Sequence, residues 1–147
     1  LFDALLDARQ QHGGSHVIAD DLEIRPLSYR ALVTGSFALG SVLARDTRAG
    51  ERVGVLLPTS RAALVTFFAL QAEGRVPAML NFSTGPASAI AACRGAVITR
   101  IVTARRFRTQ EANREAAALA VPNAVHGRFT SSSRPSCVLR PLGPMTA

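Results

Sequence analysis

The sequence predicts an α/β fold, in which crossover helices pack on a partial parallel β-sheet and a small hairpin precedes the sheet. Three consecutive segments carry this prediction: a short apolar run at 53–57, an almost wholly apolar stretch of helical length at 61–73, and a second apolar run at 76–80. A strand, a helix and a second strand within about thirty residues form a crossover unit, which joins parallel strands. Parallel sheets carry helices on their faces, so this unit indicates the α/β class.

Local signals mark where each part of this unit begins and ends. Pro58 cannot continue the interior of a strand, and Ser60 can cap the helix by accepting a hydrogen bond from an amide of its first turn. Gly74 suits a left-handed stop after the helix. Because so little of the 61–73 helix is polar, we expect it to be buried on more than one side. We expect 76–80 to be a second buried strand.

A helix and a hairpin open the chain. Residues 1–11 have apolar side chains at helical spacing, and a glycine pair follows them. Residues 17–19 and 22–27 read as two short strands, and Asp20-Asp21 between them predicts the hairpin turn.

Further helices and a third strand complete the prediction. Ser28 is a candidate cap for a helix whose apolar residues recur on one face to about Arg45. Pro86 suits the first turn of a short helix that runs to about Arg94. Residues 100–103 predict a third parallel strand.

The chain resembles the adenylate-forming ligases, the acyl-CoA synthetase superfamily, in several stretches: LFDALLDARQQHGG, PLSYRAL, RVGVLLPTS and AEGRVPAMLNFSTG. Within that superfamily, GRVPAMLNFSTGPASAIAACRGA and RIVTARRF are most similar to the acyl-acyl carrier protein synthetase half of 2-acylglycerophosphoethanolamine acyltransferases. The resemblance covers the chain from Leu1 to about Phe107, so we expect residues 1–107 to be the N-terminal portion of a ligase domain.

The resemblance implies an activity that this chain by itself is expected to lack. Such ligases use ATP and Mg to activate a fatty acid as an acyl-adenylate and then pass it to the thiol of acyl carrier protein or CoA. The resemblance also implies a phosphate loop that ends in Lys, but Thr84-Gly85 offers one glycine only, and all 17 basic residues are Arg. The alternative is a small stand-alone α/β binding or interaction module without catalysis.

Composition excludes several other classes of protein. The net charge of +7 is uneven: residues 1–104 hold 10 Arg and 8 acids, a balance of +2, and residues 105–147 hold 7 Arg and 2 acids, a balance of +5. With one Tyr and no Trp for base stacking, this argues against nucleic-acid binding. No apolar run reaches the ~18 residues of a membrane span. Two distant cysteines and the lack of a signal peptide favour the cytoplasm. The resemblance to a bifunctional acyltransferase also allows the cytoplasmic face of the inner membrane. Because the sequence begins with Leu1, we expect it to start inside a longer protein.

Residues 108–147 are expected to be a weakly structured tail. A helix at 107–119 is weakly indicated, and from Ala116 onward the sequence has no acid and four of the eight prolines. A run rich in Arg, Ser, Pro and Ala is typical of a shifted reading frame or a truncated gene in GC-rich DNA. A genuine flexible tail is the alternative.

Each candidate site residue has a structural explanation that we prefer. His12 and His16 have a spacing that suits a metal on a helix, but the two glycines between them favour surface histidines in a loop. Cys93 lies on an Ala-rich helix, where a small buried hydrophobe is commoner than a nucleophile.

Two further segments follow strands of the predicted sheet. Asn81, Phe82 and Ser83 come after the second strand, where α/β proteins place ligands, although we prefer to explain them as a strand-to-helix turn with Thr84 or Gly85 as cap. Arg105-Arg106 could meet an acidic carrier protein or be solvated charge. We therefore assign no catalytic, cofactor-binding or metal residue.

Overall fold

The computed structural model describes residues 1–21, 24–81, 83, 86–104, 125–128 and 136–138. Within these ranges the elements are α1 (Phe2–His12), β1 (Val17–Asp21), β2 (Ile24–Ser28), α2 (Tyr29–Leu43), β3 (Arg52–Leu56), α3 (Arg61–Ala72), β4 (Val76–Met79), α4 (Pro86–Gly95), β5 (Arg100–Ala104), β6 (Val125–Arg128) and β7 (Ser136–Val138). None of the helices in these ranges is long and apolar enough to cross a membrane.

The expected hairpin is confirmed as a separate two-stranded sheet of β1 and β2. The strands are antiparallel, and their pairing extends to Asp21 opposite Ile24. The predicted turn at Asp20-Asp21 is therefore wrong, because both aspartates lie in β1. Aspartate is typical of turns, but a strand with one solvated face also accepts polar side chains.

The main sheet has the order β4–β3–β5–β6–β7. β3 pairs in parallel with β4 on one side and with β5 on the other, which confirms the three parallel strands that the sequence predicts. β6 is parallel to β5, and β7 is antiparallel to β6. These last two strands span four and three residues, too few for a hydrophobic period to predict them. The helix predicted at 107–119 lies outside the described residues, and the boundary between 107 and 108 stays a prediction.

Alternate residues of β3 face two different helix layers. Val53 and Val55 belong to a large core cluster with side chains of α1, α2 and α3. Leu56 packs in a second cluster with Leu80, against which Cys93 of α4 packs. α3 and α4 therefore lie on opposite faces of the sheet. This is expected for two crossovers of the same hand when the first moves outward from β3 to β4 and the second moves back past β3 to β5.

The predicted helix signals act as expected. The Ser28 hydroxyl accepts a hydrogen bond from the Ala31 amide, and the Ser60 hydroxyl accepts one from the Ala63 amide, both at 3.3 Å. Gly74 has φ 70°, the left-handed conformation that ends a helix without strain in glycine. α3 is buried on more than one side, since it packs against β3, α1 and α2 in the large cluster.

The expectation that residues 76–80 form a buried strand is wrong in one respect. β4 is the edge strand of the sheet, and its Val76 and Met79 are 48% and 55% exposed. An apolar run cannot reveal whether a strand lies at the centre or at the edge, since this depends on which strand pairs next to it. Pro77 within the run is typical of edge strands, because proline cannot donate to a second neighbour.

Candidate functional site

The carboxyl ends of the parallel strands form the candidate site. From β3 the chain moves outward to β4 and then returns past β3 to β5, so the direction of winding reverses between β3 and β5. Open α/β sheets bind ligands in the crevice at such a reversal, beyond the carboxyl ends of the strands. In this chain the crevice lies beside the segment that follows Leu56 and the end of β5.

Hydrogen bonds hold the two strand ends together at this point. Thr103 is 2% exposed, and its hydroxyl donates to the Leu56 carbonyl oxygen at 2.9 Å. Ser60 donates its hydroxyl proton to the Pro58 carbonyl oxygen at 3.0 Å while capping α3, so that hydroxyl is already engaged. The described residues that follow β3 and β4, before the next helix, are neutral, and none is an acid, an imidazole or a thiol. This edge can position a ligand, but its described side chains supply no general acid, base or thiol nucleophile.

Asn81 and Ser83 lie at the same edge, after β4. The Asn81 side-chain oxygen accepts hydrogen bonds from the Ser83 amide at 2.9 Å and the Ser83 hydroxyl at 2.7 Å. This is the geometry of a turn closed by an asparagine. Phe82, Thr84, Gly85 and Arg105-Arg106 lie outside the described residues.

The structure brings His12 and His16 together, away from the sheet edge. Their ring centroids are 5.7 Å apart, and each ring stacks on Tyr29, at 6.3 Å and 6.0 Å respectively. Both histidines are exposed, as expected, but only His16 lies in a loop, because His12 is the last residue of α1. Among the described residues, no group of three or more His, Cys, Asp or Glu could hold a metal ion. The sequence did not indicate Tyr29, since its place beside the histidines depends on how α1 and α2 meet.

Cys93 is half-buried on α4 and packs against the second core cluster. Burial raises the pKa of its thiol, which makes the reactive thiolate scarcer at neutral pH. This environment agrees with the role of a small hydrophobe.

An ionic network at the amino end of the sheet was not indicated by the sequence. The Glu51 carboxylate pairs with Arg100 and accepts hydrogen bonds from the Thr99 hydroxyl at 2.9 Å and the Arg48 amide at 2.8 Å. Burial acts to raise the pKa of Glu51, but the Arg48 amide, Thr99 and Arg100 outweigh it and lower that pKa. Arg75 donates to the Thr47 hydroxyl at 3.0 Å and the Thr47 carbonyl at 2.7 Å. Both contacts tie loops together and are structural.

The fold is that of the N-terminal subdomain of adenylate-forming ligases, as comparison with solved structures indicates. The chain is similar to the anthranilate CoA ligase AuaEII, with a TM-score of 0.69 and 17% identity over 85% of this chain and 24% of that one. It is similar to a benzoate CoA ligase from Burkholderia xenovorans, with a TM-score of 0.71 and 15% identity over 86% of this chain and 25% of that one. For the Klebsiella oxytoca NpsA N-terminal subdomain, the TM-score is 0.62 and the identity 17%, over 95% of this chain and 40% of that one.

The particular family is given by the sequence match. Residues 6–138 match the family model of the AMP-binding enzymes, and the chain therefore belongs to the AMP-binding enzyme family. The match continues beyond Phe107, where the resemblance in the sequence fades. The chain spans about a quarter of the length of the two CoA ligases to which it is similar.

Proposed function

We propose that this chain is the N-terminal part of a ligase that activates a carboxylic acid with ATP and transfers the acyl group to a thiol. The observation that carries the proposal is the family match over residues 6–138. The strand order around β3 supports it, because the same fold occurs in CoA ligases. Membership of the family implies ATP and Mg for the full-length enzyme.

The chain alone is proposed to be inactive, because its residues do not fit a nucleoside triphosphate. It has no lysine to place against the phosphates, and arginine is not an equivalent point charge. The described residues that follow β3 and β4, before the next helix, include no carboxylate for a magnesium ion. We therefore expect no acid-dependent ATP–pyrophosphate exchange above background with the purified chain, tested with a fatty acid, benzoate and anthranilate. Exchange with any of the three would refute the proposed inactivity.

For the complete enzyme, we propose a fatty acid as the acid and acyl carrier protein or CoA as the thiol. The motifs GRVPAMLNFSTGPASAIAACRGA and RIVTARRF support this choice. Aromatic acids are the competing substrates, because two similar structures are an anthranilate and a benzoate CoA ligase. Exchange assays on the complete ligase would separate the two: a preference for benzoate over a fatty acid would overturn our choice.

The alternative function is a small binding module that acts without catalysis. The two apolar clusters favour it, because they bury a core on both faces of β3 within 147 residues. The surrounding DNA distinguishes the two functions. A ligase gene should encode, downstream and in some frame, a loop rich in Ser, Thr and Gly that ends in Lys. Its absence there would favour the binding module.

A further inference from the structure

The segment between α1 and β1 is fixed to the start of α2 by backbone hydrogen bonds. The Tyr29 amide donates to the His16 carbonyl oxygen at 3.1 Å, and the Arg30 amide donates to the Gly14 carbonyl oxygen at 2.8 Å. The His16 amide donates to the Gly13 carbonyl oxygen at 3.2 Å. These bonds hold Gly14 and His16 against the positive end of the α2 dipole.

Two arginines from different helices converge on Gly14. A Cβ atom built on Gly14 would lie 3.5 Å from Nε of Arg30 and 3.7 Å from Nε of Arg9. The two guanidinium groups therefore approach the same point from α2 and from α1. Both arginines are exposed, so a ligand can reach them from solvent.

Neither arginine forms a salt bridge in the part of the chain that the structure describes. The two salt bridges found there join Arg75 to Glu73 and Arg100 to Glu51, and neither involves Arg9 or Arg30. His12 and His16 add two exposed imidazoles beside the arginines, and each stacks on Tyr29. Such a site attracts an anion.

We propose that Arg9 and Arg30, with His12 and His16 at the rim, bind a phosphoryl group. Guanidinium forks match the oxygens of a phosphate and form charge-assisted hydrogen bonds with them, and the N–H groups of the imidazoles can donate further ones. A metal ion fits less well, because two imidazoles with no third ligand among the described residues would have to hold it beside two fixed cations. The ligand is a phosphate monoester or a lipid phosphate headgroup.

The chain contains its own reporter of this site. Tyr29 is the only tyrosine and there is no tryptophan, so tyrosine fluorescence reports on Tyr29 and its two stacked histidines alone. The test is a titration of the intact chain with inorganic phosphate and with glycerol phosphate, at an ionic strength held constant with sodium chloride. We expect a saturable change in fluorescence for both.

Arg9→Gln and Arg30→Gln should each weaken binding at least about tenfold, because each removes one charged donor. Arg45→Gln, an exposed arginine beyond the other end of α2, is the matched control and should leave binding unchanged. Circular dichroism should show that all three variants are folded, since each change is at an exposed position.

Vesicles separate the two sources of the phosphoryl group. If the ligand is a lipid headgroup, the chain should bind phosphatidylcholine vesicles that contain phosphatidic acid more tightly than vesicles without it. Arg9→Gln and Arg30→Gln should then abolish that difference. A response to glycerol phosphate, with no difference between the two kinds of vesicle, identifies a soluble phosphate monoester as the ligand.

Four results would overturn the proposal. The first is that no saturable change in fluorescence occurs, and the second is that citrate binds as tightly as phosphate. The others are that Arg45→Gln weakens binding as much as Arg9→Gln, or that Zn²⁺ binds and phosphate does not.

Discussion

Among single residues, Glu51 links three polar partners at the amino end of the sheet: Arg100, Thr99 and the Arg48 amide. Its side chain is 14% exposed and joins Arg100 to the loop before β3. The pKa of Glu51 is lowered, because the Arg48 amide, Thr99 and Arg100 outweigh the opposing effect of burial. A carboxylate with a lowered pKa in the folded state stabilises the protein above the pKa that it has when unfolded. That stabilisation is lost as the pH falls through the lowered value.

Glu51→Gln should therefore lower the free energy of unfolding by about 1–2 kcal/mol at pH 7. The difference from the parent chain should shrink as the pH falls through the lowered pKa of Glu51, because the carboxylate of the parent then becomes protonated. Urea unfolding at pH 7 and pH 3 measures both. Asp7→Asn, at an exposed position of α1, is the control and should cost little at either pH. An equal loss for Glu51→Gln at both pH values would contradict the ionic role.

At the scale of elements, Gly40 permits the close approach of α2 and α3. A Cβ atom there would lie 2.9 Å from Cγ of Glu73 and 3.0 Å from the Ala69 carbonyl oxygen, so the helices would have to move apart. Gly40→Ala should lower the free energy of unfolding by about 1–3 kcal/mol in spite of the better helix propensity of alanine.

Gly35→Ala on the same helix is the matched control for Gly40→Ala. It gains the same propensity but meets only the Val65 side chain, at 3.3 Å from its Cγ1, and a side chain can shift more easily than a backbone carbonyl. Thermal and urea unfolding of both variants give the comparison. Equal free energies of unfolding for the two variants would show that the close approach of α2 and α3 at Gly40 does not penalise a larger side chain there.

Pro77 protects the edge strand β4 against pairing with other chains. The amides of Val76 and Leu80 donate to β3, at 2.9 Å and 3.0 Å, so residues 77 and 79 direct their backbone groups outward. Pro77 has no amide proton to offer there, which is a common protection of sheet edges.

Pro77→Val should make the chain associate at a lower protein concentration, because it restores an outward donor beside the exposed side chains of Val76 and Met79. Light scattering across a concentration series measures this. Adding Met79→Lys to Pro77→Val should reverse the effect, since a charge on the edge opposes pairing. If Pro77→Val behaves like the parent chain, the proline has no protective role.

For the whole molecule, β6 covers the other side of β5. Val102, which is 1% exposed, pairs with Val125 of β6. A chain that ends at residue 121 loses β6 and β7, so that β5, which lies beside the buried apolar core, becomes the edge of the sheet. It should therefore form oligomers in light scattering, whereas a chain that ends at 138 and keeps β6 and β7 should associate less. A monodisperse, cooperatively unfolding monomer of residues 1–121 would show a complete domain and favour the binding-module alternative.

The local parts of this fold follow from the sequence because their causes are local. Ser28, Ser60 and Gly74 mark helix ends through hydrogen bonds and backbone angles within a few residues, and all three act as expected. The apolar runs at 53–57 and 100–103 identify parallel strands, since they and the helices between them form crossover units.

Strand order, by contrast, was decided only by tertiary structure. The similar apolar runs of β3 and β4 become a central and an edge strand because β5 pairs with β3 and not with β4. The candidate sites depend on the same long-range placement. Thr103 contacts Leu56 only across the β3–β5 pairing, and Arg9 and Arg30 both approach Gly14 only because α1 and α2 lie on either side of it. Sequence spacing carries local preferences, whereas contacts between distant residues depend on which elements pack together.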